Sequence, residues 1–192
     1  MNTGQLMRAA IFIPLMAAGA MLKVWIGPVP VTFQTVFCVM AGLLLGPKSG
    51  ALAMTGYLAL GLVGVPVFAG GGGIGYVMKP TFGYLVAFIP AAWVAGMLGK
   101  RKTGFGNYLS AGLSALFFIY FIGALWLNYS LIYIQNLNPT PAEILSMGVL
   151  PFVAQDLLTV TAGVLVALRI KNTGRIHLPE LPGNRARRTG GD

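Results

Sequence analysis

Long apolar runs, separated by short clusters of proline, glycine and polar residues, dominate the pattern along this chain. A helix that spans a membrane needs about 20 mostly apolar residues. Six runs approach that length and predict six transmembrane helices, over Met7–Ile26, Thr32–Leu45, Gly50–Val67, Thr81–Leu98, Asn107–Tyr133 and Glu143–Leu168. The pattern therefore predicts an all-α integral membrane protein, with residues 1–170 as a six-helix transmembrane domain and residues 171–192 as a polar, disordered tail.

The first apolar run also has features of a cleavable signal peptide. Arg8 lies near its start, and Ala18-Gly19-Ala20 could serve as a cleavage site. Further apolar runs follow at once, however, and cleavage would remove one helix from a compact bundle. We therefore favour a first transmembrane helix.

Composition and charge support a membrane protein. Hydrophobic residues make up 56% of the 192 positions and charged residues only 9%, whereas soluble domains carry about 25% charged residues. The net charge of +9 does not indicate nucleic-acid binding, because the cations lie between apolar runs and in the tail. If the N-terminus is inside, the inner segments hold eleven of the 13 Lys and Arg residues, and the outer segments hold only Lys23 and Lys79. The positive-inside rule then predicts that both termini are cytoplasmic. We expect a multi-pass protein of the plasma membrane, of the bacterial inner-membrane type.

The sequence lacks the residue patterns that metal binding and ATP hydrolysis require. Cys38 is the single cysteine and lies in an apolar run, and His177 is the single histidine, in the tail. No cluster of His, Cys and acidic residues predicts a metal site, and no P-loop is present. We expect no metal, no cofactor and no ATP hydrolysis by the chain itself.

Asp156 is the acid that stands out, because it lies inside the last apolar run beside Gln155. A charge at mid-membrane costs about 2.5–3.5 kcal/mol on insertion scales and generally faces a cavity. Counted from Glu143, the residue lies roughly 20 Å along the helix, at about 1.5 Å per residue, but much nearer the outer surface if the helix begins at Pro151. Asp156 could be a ligand, a proton relay or one half of a structural pair.

Three further features fall on the predicted outer side. The glycine run Gly70–Gly73 could be a lid or wall over a pocket, since glycine allows close backbone approach, or a plain flexible connector. Lys79 could pair with Asp156, hold an anionic substrate or lie in water. Gln34 falls in the first turn of the second helix, which Thr32 can cap, and it offers both a donor and an acceptor.

These features coincide in one known family. The motifs GPVPVTFQT, AGLLLGPKSGALA, YLALGLVGVPVFAGG and KPTFGYL between Ile26 and Phe88, and LPFVAQDLL at Leu150–Leu158, resemble BioY, the biotin-specific S component of energy-coupling-factor (ECF) transporters. The resemblance implies a six-helix bundle that binds biotin near the outer face under flexible loops. It also implies association with a transmembrane T component and two cytoplasmic ABC-type ATPases.

The resemblance also suggests a substrate-binding site. Asp156 matches the pocket aspartate of the family and could accept hydrogen bonds from the ureido N–H groups of biotin. Apolar and aromatic walls suit the bicyclic ring and the valeryl chain, and Phe68, Tyr76 and Tyr84 are the candidates. The backbone of Gly70–Gly73, with Gly72 and Gly73 as the predicted contacts, would close over the ring.

Two positions depart from the family pattern. Many members carry a lysine three residues after the aspartate, where this chain has Thr159, and some carry an arginine where it has Leu85. We infer that Lys79 takes over the role of partner for the substrate carboxylate.

The predicted function is biotin uptake as an S component that does no covalent chemistry. One alternative is a solo secondary transporter of biotin or a related vitamin, with Asp156 as a proton relay. Another is a non-transporting membrane scaffold, in which Asp156 would belong to a structural pair.

Overall fold

The computed structural model describes residues 3–26, 29–100 and 104–173 of the chain. Within these ranges the chain forms seven α-helices, a two-stranded hairpin, one 3₁₀ helix and one π-helical turn. In chain order they are α1 (Thr3–Met21), β1 (Lys23–Ile26), β2 (Val29–Thr32), α2 (Gln34–Leu45), α3 (Pro47–Val63), the 3₁₀ helix (Ile74–Met78), α4 (Phe82–Gly99), α5 (Phe105–Tyr129) with the π turn (Ser130–Ile134), α6 (Pro141–Gly148) and α7 (Leu150–Asn172).

The predicted all-helical architecture of six segments is confirmed, with α6 and α7 together occupying the last predicted run, although the bounds of the first segment and the continuity of the last one differ from the prediction. Four stretches of described helix are long and apolar enough to cross a membrane: Thr3–Met21, Phe82–Gly99, Phe105–Ile134 and Pro141–Asn172. Gln34–Leu45 is a shorter apolar helix. The tail predicted at 171–192 lies outside the described residues from position 174 onward.

Helix α4 lies at the centre of the bundle and packs against α2, α3 and α5. Small residues allow this close packing, as is common between helices in membranes. A Cβ atom added at Gly42 of α2 would lie 2.4 Å from the carbonyl oxygen of Ala92 in α4. Helix α1 packs on α2 and α3, and its Met16 and Ala20 are fully buried.

The first helix is shorter than its predicted run. It ends at Met21, and β1 then pairs antiparallel with β2, so that Lys23 lies opposite Thr32. The prediction of helix up to Ile26 is therefore wrong. Pro30 lies within β2, and proline favours extended backbone and cannot donate to a helix. The β-branched valines of the two strands suit paired strands.

The last predicted helix is interrupted at Val149. Helix α6 begins with a capping box, in which Thr140 accepts from the backbone N–H of Glu143 and the Glu143 side chain accepts from the backbone N–H of Thr140. This confirms Glu143 as a helix N-terminal acid. Helix α7 starts afresh at Leu150, with Pro151 in its first turn. The prediction of one continuous helix over Glu143–Leu168 is therefore wrong, and Asp156 lies only two turns into α7.

Candidate functional site

A cavity of about 50 Å³ lies where the hairpin, the start of α2 and the helices α4, α5 and α7 meet. Its walls are mostly apolar and aromatic, with a small number of polar side chains, the usual composition of a small-molecule site. The lining residues are Val29, Pro30, Thr32, Gln34, Thr35, Ala69, Tyr76, Thr81, Tyr84, Leu85, Phe88, Ile119, Tyr120, Phe152 and Asp156. Four of the predicted site residues therefore meet in one cavity, and Asp156 is its only acid among the described residues.

Asp156 is 4% exposed. The hydroxyl of Tyr120 in α5 donates to its Oδ2 atom at 2.7 Å, and the Thr35 side chain at the start of α2 also hydrogen-bonds to it. An ionised carboxylate has about four acceptor sites, so these two hydroxyls leave capacity for further donors. The carboxylate thus presents a fixed acceptor to the cavity.

Gln34 lies in a buried chain of hydrogen bonds. Its Oε1 atom accepts from the Thr32 hydroxyl at 3.2 Å, and its Nε2 atom donates to the Tyr57 hydroxyl at 2.7 Å. Tyr57 in turn donates to the carbonyl oxygen of Val67 at 2.8 Å. The N-cap of α2 is Phe33, with no side-chain cap, so the prediction that Thr32 caps this helix is wrong. Gln34 instead links the hairpin to the segment that follows α3.

The three predicted aromatic residues lie at different depths. Tyr84 lines the cavity, and its hydroxyl donates to the Gly148 carbonyl at 2.8 Å, which ties α4 to the α6–α7 junction. Tyr76 lines the cavity from the 3₁₀ helix. The Phe68 ring lies behind Tyr76, with 4.7 Å between the ring centroids. Phe68 is not among the described residues that line the cavity. Its ring packs against Gly61, and a Cβ atom added at Gly61 would lie 2.0 Å from the Phe68 ring.

The glycine run folds tightly onto the end of α3 and is not an open connector. Gly73 has a φ of +99° and donates its N–H to the Gly61 carbonyl at 2.7 Å. A Cβ at Gly72 would lie 2.3 Å from the Val65 carbonyl oxygen. Neither Gly72 nor Gly73 is part of the described cavity lining. The cavity is instead lined here by Ala69, one residue before the run.

Lys79 and Thr159 also lie outside the described lining. The ammonium of Lys79 donates to the Gly70 carbonyl at 2.9 Å and lies 4.6 Å from the centroid of the Tyr76 ring. It therefore lies at the rim of the cavity and does not form the pair with Asp156 that the sequence left open. Thr159 is one turn beyond Asp156 in α7, and its hydroxyl donates to the Asp156 backbone carbonyl at 3.4 Å.

Sequence reasoning missed several residues of this site. Tyr120 carries no local signal, because it is one of many aromatic residues in α5 and lies 36 positions from Asp156. Thr35 directly follows Gln34, and its place in the first turn of α2 could have indicated it. The sequence identifies Lys23 only as a cation on the predicted outer side, whereas in the structure its ammonium donates to the carbonyl of Ala69.

Comparison with known proteins relates this chain to one family. The model of the BioY family matches residues 1–175. The chain is 39% identical over 168 residues to "Biotin transporter BioY" of Thermotoga maritima, which covers 87% of this chain and 95% of that protein. It is 41% identical over 172 residues to "Probable biotin transporter BioY" of Pyrococcus horikoshii, with 89% and 98% covered.

The fold also matches a solved structure. The crystal structure at 2.1 Å of the S-component for biotin from an ECF-type ABC transporter superposes with a TM-score of 0.78, at 27% sequence identity. The match covers 90% of this chain and 95% of that one. The likeness therefore extends over nearly the whole described bundle.

Proposed function

This chain belongs to the BioY family, and on that premise we propose that it is the S component of an ECF-type transporter, which captures biotin and delivers it inward. In this function the chain binds and releases its substrate without covalent chemistry. A transmembrane T component and two cytoplasmic ABC-type ATPases supply the energy. The chain is a membrane protein, and we place it in the plasma membrane as a multi-pass protein.

The observation that carries this proposal is the buried carboxylate of Asp156 in an otherwise mostly apolar and aromatic cavity. Biotin has a ureido ring with two N–H donors, fused to an apolar sulfur-containing ring. A charged acceptor held by Tyr120 and Thr35 would receive a ureido N–H in a charge-assisted hydrogen bond. Tyr76 and Tyr84 would cover the faces of the bicycle.

We propose that the remaining predicted site residues act at different distances from the substrate, some of them indirectly. Gln34 lines the cavity and Lys79 lies at its rim, where it would approach the substrate carboxylate. Phe68, Gly72 and Gly73 would act through the shape of the segment between α3 and the 3₁₀ helix. Thr159 would orient the turn of α7 that carries Asp156.

The cavity must widen to hold this ligand. Its volume of about 50 Å³ is well below the roughly 300–1,000 Å³ of typical ligand sites. The hairpin and the segment containing Ala69 form walls that belong to no transmembrane helix. Because neither is fixed within a helix, these two walls are the parts that would move apart when biotin enters.

Charge supports the proposed orientation. Lys23 and Lys79, the two cations assigned to the outside, both contact the segment between α3 and the 3₁₀ helix. Arg169 and Lys171 lie at the far end of α7, on the side that the positive-inside rule assigns to the cytoplasm. The cavity then opens outward, and the tail at 171–192 is cytoplasmic.

Calorimetry with purified protein in detergent tests substrate capture. Biotin should bind to the wild type with a single site, and no binding would overturn the proposal. Uptake of radiolabelled biotin into cells that lack their own biotin transporter then tests the partners. Uptake should require co-expressed T component and active ATPases. Uptake that needs only a proton gradient would instead support the solo transporter, with Asp156 as proton relay.

Cysteine labelling tests the orientation. Cys38 is fully buried, so a Cys38→Ala background allows single cysteines to be introduced at exposed Asn138 and Thr173. A membrane-impermeant maleimide added to intact cells should label Asn138→Cys and should reach Thr173→Cys only after the membrane is opened. The reverse pattern would overturn the orientation.

A further inference from the structure

Two lysines reach the same short segment of backbone from different elements. Lys23, the first residue of β1, donates to the carbonyl of Ala69. Lys79, which follows the 3₁₀ helix, donates to the carbonyl of Gly70 at 2.9 Å. Since Ala69 and Gly70 are consecutive, the two ammonium groups are anchored to neighbouring carbonyls of one short backbone segment at the rim of the cavity.

No described acid neutralises this pair of cations. The described chain contains two acids, Glu143 and Asp156. The Glu143 carboxylate is held by Thr140 in the capping box, and the Asp156 carboxylate accepts from Tyr120. Each lysine uses one of its three ammonium N–H donors in a hydrogen bond to an uncharged backbone carbonyl, which leaves two donors on each ammonium group. The rim is therefore positively charged and retains donors for an anion.

The rim also adjoins the inside of the cavity. Ala69, whose carbonyl Lys23 contacts, is itself a lining residue. Lys79 lies over the ring of Tyr76, which lines the same wall. A ligand that places one end at Asp156 and extends past Tyr76 would bring its other end to the two lysines.

Resting on the proposed biotin capture, we propose that Lys23 and Lys79 together bind the carboxylate of the substrate, with Lys23 as the second, unassigned member of the site. Without substrate, the two ammonium groups are held by the carbonyls of Ala69 and Gly70. With substrate, the carboxylate lies between them and accepts a hydrogen bond from each. The pair selects acids over neutral analogues, because an amide does not compensate the two positive charges.

This site also couples recognition to closure of the cavity. Lys23 belongs to the hairpin, and Lys79 belongs to the connection that leads into α4. A carboxylate shared by both lysines holds these two walls together over the ligand. A neutral ligand of the same shape fills the cavity without this link.

The test compares biotin with biotinamide, in which a neutral amide replaces the carboxylate. Each unlabelled compound competes against tritiated biotin on the purified full-length protein, as wild type, Lys23→Gln, Lys79→Gln and Lys48→Gln. Lys48 is an exposed lysine in the first turn of α3 and serves as the matched control. Wild type and Lys48→Gln should prefer biotin by at least about tenfold, in line with a charge-assisted hydrogen bond.

Lys23→Gln and Lys79→Gln should each weaken biotin binding about tenfold and change biotinamide binding by less than about twofold. If Lys23→Gln weakens both compounds equally, or neither, the inference is wrong while biotin capture stands. If the wild type binds no biotin, the proposed function fails and this site fails with it.

A rescue experiment separates the charge of Lys23 from a structural role. In the Cys38→Ala background, Lys23→Cys is treated with 2-aminoethyl methanethiosulfonate, which restores an ammonium group, or with methyl methanethiosulfonate, which does not. The aminoethyl reagent should restore the preference for biotin over biotinamide, and the methyl reagent should not. Equal results from both reagents would overturn the proposed role, and this holds even if Lys23→Gln does not fold.

Discussion

The hydroxyl of Tyr120 donates a 2.7 Å hydrogen bond to Oδ2 of Asp156 and so joins α5 to α7. Tyr120 also lines a second, apolar cavity of about 520 Å³ between α5 and α6, together with Phe121 and Leu125. The hydroxyl of Tyr120 therefore binds the Asp156 carboxylate, and the Tyr120 side chain lines both the candidate site and the apolar cavity. Tyr120 thus contributes to the orientation of Asp156 and forms part of the wall shared by the two cavities.

Asp156→Asn should weaken biotin binding about 10- to 100-fold. The substitution keeps the size of the side chain but removes its charge, so a charge-assisted hydrogen bond to the ureido group, worth roughly 1.5–3 kcal/mol, becomes a weaker neutral one. Calorimetry on the purified variant measures the change. Glu143→Gln is the matched control, since this exposed carboxylate caps α6 away from the cavity. Equal affinities for wild type and Asp156→Asn would remove Asp156 from the site.

Tyr120→Phe should lower both biotin affinity, by about tenfold, and stability, by about 1–2 kcal/mol, because it removes a donor from a buried carboxylate. Tyr108→Phe is the control: its hydroxyl is buried and has no hydrogen-bond partner among the described residues. Its loss should leave stability unchanged or slightly raised. Thermal unfolding and calorimetry of both variants provide the comparison. If the two variants behave alike, the Tyr120–Asp156 hydrogen bond contributes nothing.

The sequence predicted the helical segments well because long apolar runs broken by proline and glycine carry that information locally. It did not predict the hairpin, since two four-residue strands give too short a pattern to separate from the apolar run before them. The break at Val149 was visible only as Pro151, which is tolerated in the first turn of a new helix as readily as it ends an old one. Asp156 therefore lies nearer the helix start than a continuous run suggested.

The candidate site was only partly predictable for a related reason. Asp156 stands out in any apolar run because a buried charge is costly. Its partner Tyr120 does not, because an aromatic residue in an apolar helix has an ordinary packing role in most positions. The contact of Lys23 with Ala69 depends on how the hairpin folds back over the bundle, which no local pattern specifies.

Gly72→Ala should reduce biotin affinity at least about fivefold and lower stability by about 1–3 kcal/mol, the range for steric strain in a packed site. The added Cβ would lie 2.3 Å from the backbone carbonyl oxygen of Val65, which cannot move aside as a flexible side chain would. The segment carrying Ala69 would shift with it. Gly75→Ala is the control, because a Cβ there meets nothing within 4 Å.

Binding and thermal unfolding of these two glycine variants distinguish a shaped wall from a loose connector. A connector would tolerate both substitutions equally. A wall that must keep its form should tolerate alanine at position 75 and not at position 72. Equal tolerance would also remove Gly72 from the residues that shape the site.

Tyr84→Phe should act on the fold more than on the ligand. The Tyr84 hydroxyl already donates to the Gly148 carbonyl, so its removal leaves a buried acceptor unsatisfied at the α6–α7 junction and should cost about 1–3 kcal/mol. The ring that lines the cavity remains, so biotin affinity should change by less than about threefold. Tyr129→Phe is the control, since this residue is 49% exposed. A loss of affinity above about tenfold with an unchanged unfolding temperature would instead mean that the hydroxyl turns from Gly148 to the substrate, and that the junction does not need it.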